Sequence, residues 1–150
     1  MSNGRTLAAN RRARYDYEIL DSFEAGLVLL GSEIKAMREG RANISEAFAR
    51  PQDGELWLMN AHISQYSAGG VSSHDPTRPR KLLLHKDQIA RLTEQVLQRG
   101  LTLVPLRLYL NRHRAKVELG LGRGRKRYDK RRAIIDRMRE SEARAAIRRG

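Results

Sequence analysis

Leu101-Thr102-Leu103-Val104-Pro105-Leu106-Arg107-Leu108-Tyr109-Leu110, then Asn111-Arg112-His113, then Arg114-Ala115-Lys116-Val117-Glu118-Leu119-Gly120-Leu121 is the stretch on which the fold turns. Its second part alternates Ala115, Val117, Leu119 and Leu121 against Arg114, Lys116 and Glu118, the period of two that a strand shows when one face is buried. Its first part is long and apolar. Pro105 has no N–H to give to a ladder, so the strand is expected to have an edge or a bulge there. Asn111, Arg112 and His113 separate the two as a turn, and the whole predicts an antiparallel hairpin.

Upstream, residues 85–99 have the clearest helical period, with Ile89, Leu92, Val96 and Leu97 on one face, Asp87 in the first turn and Gly100 as the stop. A shorter helix is predicted over 33–39, with Ser32 as N-cap, Ile34 and Met37 on one face and Gly40 behind it. Residues 17–20 and 24–30 have strand character around a turn at Asp21-Ser22, and the second run is apolar enough for a central strand. Residues 43–48 and 55–59 form another hairpin across Pro51-Gln52-Asp53-Gly54, which 61–66 could extend. Gly69, Gly70, Ser72, Ser73, Pro76 and Pro79 predict a long loop over 67–79, followed by Arg80-Lys81 and the apolar Leu82-Leu83-Leu84. Short strands, few helices and hairpin connections give a mainly β fold with flanking helices. The expected architecture is a small OB-like antiparallel β-barrel with two to three helices and a basic C-terminal tail.

Downstream of the hairpin the composition changes. Gly120-Leu121-Gly122-Arg123-Gly124 alternates glycine with other residues, after which Arg125, Lys126, Arg127, Lys130 and Arg131 crowd around Tyr128 and Asp129. Permissive backbone followed by guanidinium and ammonium groups suits close approach to phosphate. From 122 to 150 twelve Lys or Arg stand against four acids, so this segment holds +8 of the chain's +13. Ala133, Ile134, Ile135, Met138, Ala145, Ala146 and Ile147 favour helix locally, but their stripe is too thin to dock on a core. The tail is expected to be disordered alone and helical against a polyanion. The chain therefore divides into a flexible N-terminus (1–9), an OB-like barrel (10–121) and a basic hinge and tail (122–150).

A single domain of 150 residues with a net charge of +13 and a pI near 11.0 points to a polyanionic partner, nucleic acid first. A membrane surface fits less well, because no amphipathic helix carries a bulky apolar face. The absence of cysteine excludes disulfides, thiolate metal sites and a Cys nucleophile. No run reaches the ~20 apolar residues of a membrane span, and the N-terminus has no apolar signal core, so a cytoplasmic protein is expected. His62, His74, His85 and His113 are scattered without metal-ligand spacing, and the glycine-rich stretch lacks the Lys-Ser or Lys-Thr pair of a nucleotide loop. The expectation is no catalysis, no metal and no cofactor. Glu24 and Glu33 are isolated carboxylates, suited to cap, pair or bond a base edge rather than to act as a dyad.

Several separated motifs occur in one order: Asn10-Arg11-Arg12-Ala13-Arg14-Tyr15, Phe23-Glu24-Ala25-Gly26, Gly31-Ser32-Glu33-Ile34-Lys35, Asn43-Ile44-Ser45, His74-Asp75-Pro76-Thr77-Arg78, Arg80-Lys81-Leu82-Leu83-Leu84 and Gly124-Arg125-Lys126 to Asp129-Lys130-Arg131. Over about residues 10–140 the chain resembles the SsrA-binding protein (SmpB) family, the partner of transfer-messenger RNA in trans-translation. The resemblance implies a non-catalytic protein that binds the tRNA-like domain of that RNA. It further implies delivery, with elongation factor Tu and GTP, to stalled ribosomes for rescue and tagging of nascent chains. On the same grounds Asn10, Arg11, Glu24, Lys35, Arg38, Lys81 and Leu83 would hold the RNA. Gly124, Arg125, Lys126, Tyr128, Asp129, Lys130 and Arg131 would meet the decoding centre, with Tyr128 stacking on an rRNA base and Arg125 replacing a lysine of the family pattern. The tail would become a helix in the vacant mRNA channel. The protein is expected to act as a monomer, without a membrane partner. The reading from a different class is a structural ribosomal or other rRNA-binding protein, an OB-like barrel whose basic extension fills rRNA grooves.

Overall fold

The computed structural model describes residues 5–65 and 74–125. Along them run β1 (Arg5–Ala9), α1 (Ala13–Asp16), β2 (Tyr17–Leu27), α2 (Gly31–Arg38), β3 (Ala42–Asn43), β4 (Phe48–Gln52), β5 (Glu55–Met59), β6 (His62–Ile63), β7 (Arg80–Leu83), α3 (Lys86–Arg99), β8 (Thr102–Asn111) and β9 (Arg114–Gly124). The β8–β9 hairpin forms as its alternation predicts, with a ladder from Thr102↔Gly122 to Asn111↔Arg114. Its register shifts between Pro105 and Arg107, so the proline sits at a bulge where a missing N–H does least harm. The turn is only two residues. Arg112 and His113 both have left-handed backbones, with φ of 50° and 67°. This is the pattern of a type I′ turn, which favours Asn-Gly, and a non-glycine residue in that region costs roughly 1–2 kcal/mol.

Strand partners run β8–β9–β2–β7–β5–β4 and return to β8 through the single pair Ala49↔Leu103, while β1 lies along the remaining edge of β8. The result is an OB-like antiparallel barrel, pinched shut at its seam rather than closed by a continuous ladder. Ala115, Val117, Leu119 and Leu121 are buried together, as the alternation requires, and meet Ala25, Leu27, Leu56, Leu58, Leu82 and Leu103 from the facing strands. α2 adds Ala36 and Met37 to this core, and α3 adds Ile89 and Leu92. Each large aliphatic side chain so buried contributes about 1.5–3 kcal/mol. Leu97, expected on the buried face of α3, is exposed. At 3.6 residues per turn it has drifted off the stripe that Ile89 and Leu92 define.

Several local expectations change. β2 is one strand without a turn at Asp21-Ser22, because β9 pairs with it from Tyr17↔Gly124 to Gly26↔Lys116; a register shift between Ile19 and Asp21 takes the place of the turn. The expected strand over 43–48 is cut short at Asn43, whose Oδ1 accepts the Ser45 N–H at 2.9 Å and its hydroxyl at 2.7 Å, an Asx turn that bends the chain. β6 pairs with β3 instead of extending the β4–β5 hairpin. α2 starts at Gly31, and its first turn is capped not by Ser32 but by Glu33, whose Oε1 accepts the Leu30 N–H at 2.8 Å. Arg5–Ala9, assigned on composition to a flexible terminus, pairs with β8 and supplies its bare edge with hydrogen bonds. The basic cluster after it forms α1, and Ala13 packs with Val104, Leu106, Tyr17 and Ile19 in a second small core. β9 runs on to Gly124, beyond the expected boundary at 122. Gly122 belongs to that ladder because its missing Cβ would stand 3.1 Å from the Glu18 carbonyl and from Tyr17 Cβ. Residues 1–4, 66–73 and 126–150 lie outside the described residues, and with them most of the expected loop and the tail.

Candidate nucleic-acid interface

Register decides which polar side chains meet. Across β8, β9 and β2, Arg107 faces Glu118 and Glu118 faces Glu24; one step along, Tyr109, Lys116 and Gly26 form the next row, which continues to Leu83 on β7. Cross-strand neighbours at this spacing interact directly. The Tyr109 hydroxyl donates to Glu24 Oε2, and Lys116 Nζ stands 3.9 Å from Glu24 Oε1. The Arg107 guanidinium lies 4.1 Å from the centre of the Tyr109 ring, its Nε 3.5 Å from Glu118 Oε2, and Nη1 donates to Thr6 Oγ1 at 2.8 Å. Burial pushes the Tyr109 phenol upward, and the hydrogen bond to Glu24 and its charge add to this, so the phenol stays a donor. Glu24 is thereby held in one orientation with part of its carboxylate at the surface.

Beside it, Leu83 is 51% exposed on β7. It lies across Gly26, where an added Cβ would come 3.2 Å from Leu83 Cβ. Two shallow concavities of about 370 and 420 Å³ meet there and share Gly26, Leu83 and Lys116. The first is walled by Glu24, His85 and Gln88, the second by Val28, Ile34, His113 and Arg114. Lys81 stands two residues before Leu83 on β7, with Nζ 3.6 Å from Glu55. Arg38, at the end of α2, places Nη2 3.3 Å from His113 Nδ1, and Lys35 is exposed one turn earlier. Of the residues expected to hold RNA, Glu24, Lys81 and Leu83 thus share the outer face of β2 and β7, and Arg38 borders it through His113.

Asn10 and Arg11 stand apart, on the other edge of β8. The Asn10 amide donates to the carbonyls of Pro105 at 3.1 Å and Ile44 at 3.4 Å, so it braces the bulge, while its Oδ1 is buried without a hydrogen bond among the described residues. Arg11 is exposed ahead of α1. Gly124 closes β9 opposite Tyr17, and the Arg125 N–H donates to the Asp16 carbonyl at 2.9 Å, which sets where the basic segment leaves the barrel. Lys126, Tyr128, Asp129, Lys130 and Arg131 lie outside the described residues. Tyr109, Lys116, His113 and Arg114 were not singled out from sequence. The alternation over 114–118 carried a signal for Arg114 and Lys116; the tyrosine, lost in an apolar run, gave none.

A second polar cluster lies inside the molecule. Glu33 and Arg80 are both fully buried, with Arg80 Nε 2.5 Å from Glu33 Oε2, and Arg78 completes the group through Nε at 3.1 Å and Nη2. Burial alone would raise the Glu33 pKa, but hydrogen bonds from Arg78, the Leu30 N–H and Arg80 outweigh it and hold the carboxyl below its usual range. Arg80 also donates to the carbonyls of Ala61 at 2.7 Å and Pro76 at 3.0 Å. His74 Nε2 bonds the Ile63 carbonyl at 2.9 Å, which leaves Nδ1 to accept from the Ser32 hydroxyl at 3.0 Å. The His74 to Arg80 motifs therefore pin this segment to α2. Among the described residues no three His, Asp or Glu gather as a metal site, and no helix is long and apolar enough to cross a membrane.

A family model described as SmpB protein matches residues 7–149. The chain is 51% identical over 145 residues to an SsrA-binding protein of Thermobifida fusca, covering 97% of this chain and 91% of the other. It is 53% identical over 143 residues to one of Desulforudis audaxviator, covering 95% and 94%. A solved structure described as "tmRNA-SmpB: a journey to the center of the bacterial ribosome" shares 51% identity and a TM-score of 0.68, covering 84% of this chain and 92% of that one.

Proposed function

The chain belongs to the SmpB protein family, and from that membership we propose that it is the RNA-binding partner of transfer-messenger RNA in trans-translation. It binds the tRNA-like domain of that RNA and brings it to ribosomes stalled on messages without a stop codon. The structural observation that carries the reading is the half-exposed Leu83, which lies across Gly26 from Lys116, itself paired with the Glu24 carboxylate. An unstacked base can lie on Leu83, Glu24 can accept from a base edge or a 2′-hydroxyl, and the surrounding cations neutralise phosphate. Asn10, Arg11, Lys35, Arg38 and Lys81 extend the RNA surface around this centre.

The division of labour follows the charge. The barrel reads the RNA, while Gly124, Arg125, Lys126, Tyr128, Asp129, Lys130 and Arg131 act at the decoding centre and the tail folds in the empty mRNA channel. Elongation factor Tu with GTP rides on the same charged RNA. The protein works as a cytoplasmic monomer and performs no chemistry of its own.

Binding of the isolated tRNA-like domain at near-physiological salt tests the reading. Leu83→Asp and Glu24→Gln should each weaken it by about tenfold, or ~1.4 kcal/mol, without lowering the melting temperature of the protein. Wild-type affinity in both variants would move the RNA off this face.

A further inference from the structure

The strained β8–β9 turn lies at the rim of the groove beside Leu83. Arg112 and His113 are exposed, and both hold left-handed backbones that Asn-Gly would adopt at less cost. Strain kept at an exposed position is a signature of side chains in use. Arg38 reaches the turn from α2, 3.3 Å from His113 Nδ1. Arginine can only donate, so Nδ1 accepts and the imidazole proton is on Nε2, free to donate to another group. Arg114 follows and lines the groove together with His113, Lys116, Val28, Ile34 and Leu83. Among the described residues Lys116 is paired with Glu24, whereas Arg38, Arg112 and Arg114 face no carboxylate partner. The groove thus has an apolar floor and, at one end, donors converging from two elements with no acid to satisfy them.

We propose that Arg38, His113 and Arg114 form a phosphodiester clamp that seats the backbone of one unpaired nucleotide, whose base lies on Leu83 and Val28. This rests on the reading of the face as the RNA surface and names the subsite and ligand chemistry there. Two guanidinium groups and an imidazole N–H match phosphate oxygens, and the tight two-residue turn together with the Arg38 contact sets the His113 ring before the ligand arrives, which lowers the ordering cost. A paired base cannot turn its face onto Leu83, so the occupant comes from a loop of the RNA.

The decisive variant is His113→Gly, which gives the turn's second left-handed position its favoured residue. Its melting temperature should rise while its affinity for the tRNA-like domain falls about tenfold, with the slope of log K against log salt unchanged because a neutral imidazole displaces no counterion. Arg38→Gln and Arg114→Gln should each flatten that slope by about 1. Leu83→Asp, measured in parallel, separates the two levels of the argument. If it binds as wild type, the reading of the whole face fails. If it weakens binding while the clamp variants keep wild-type affinity and slope, the RNA face stands and the clamp is wrong. A more stable turn variant with unchanged binding overturns the clamp equally.

Discussion

Glu33 and Arg80 hold opposite charges in the interior of the molecule, where neither would be tolerated alone. A buried pair repays its desolvation only when further hydrogen bonds satisfy the groups around it, and the Arg78, Leu30, Ala61 and Pro76 bonds supply these. Arg80→Met should therefore cost about 3–5 kcal/mol, read from the urea midpoint; a loss below about 1 kcal/mol would show that the pair is dispensable. The lowered Glu33 pKa adds a pH dependence. Its contribution is complete above about 4.5, the unperturbed value, and is lost as pH falls through the lower folded value. Glu33→Gln should flatten the acid limb of stability against pH, although it is the less stable protein at neutral pH. In sequence, Glu33 was legible as a carboxylate that caps or pairs, and it does both. Its partners, 45 and 47 residues away, were not, because spacing carries no information about contacts made through tertiary packing. The same limit hid Tyr109, whose bond to Glu24 spans 85 residues.

At the level of elements, legibility followed local periodicity. β5, α3 and the β8–β9 hairpin could be read because their apolar residues repeat at the strand or helix period and end at clear stops, Gly100 being left-handed at φ 65°. β1, α1 and the continuity of β2 could not, since each exists through a neighbour: the bare edge of β8, a five-residue satellite core, and the length of β9. Gly122 marks where these meet. Gly122→Val would drive a branched side chain against the Glu18 backbone carbonyl, which cannot rotate away. The expected cost is about 1–3 kcal/mol, with faster amide exchange at Arg125 as the Asp16 bond loosens; unchanged stability and exchange would show that β2 yields freely there.

For the whole molecule, the fold class was readable from patterning and a polyanionic partner from the lopsided charge, because both are properties of the entire chain; the particular RNA came from the family motifs. The boundary between barrel and tail was misplaced by a few residues, since glycines that suggest a hinge lie within β9 as far as Gly124. On the proposed function, the barrel alone should read the RNA and leave the basic segment free to act on the ribosome. The most direct test is competition for labelled transfer-messenger RNA against excess bulk tRNA, using the full chain and a version ending at Arg125, which keeps β9 and the bond to Asp16. Both proteins should bind selectively, with affinities within about threefold of one another, or ~0.7 kcal/mol. Loss of selectivity on removal of the tail would contradict the account and make the protein a general basic binder of RNA.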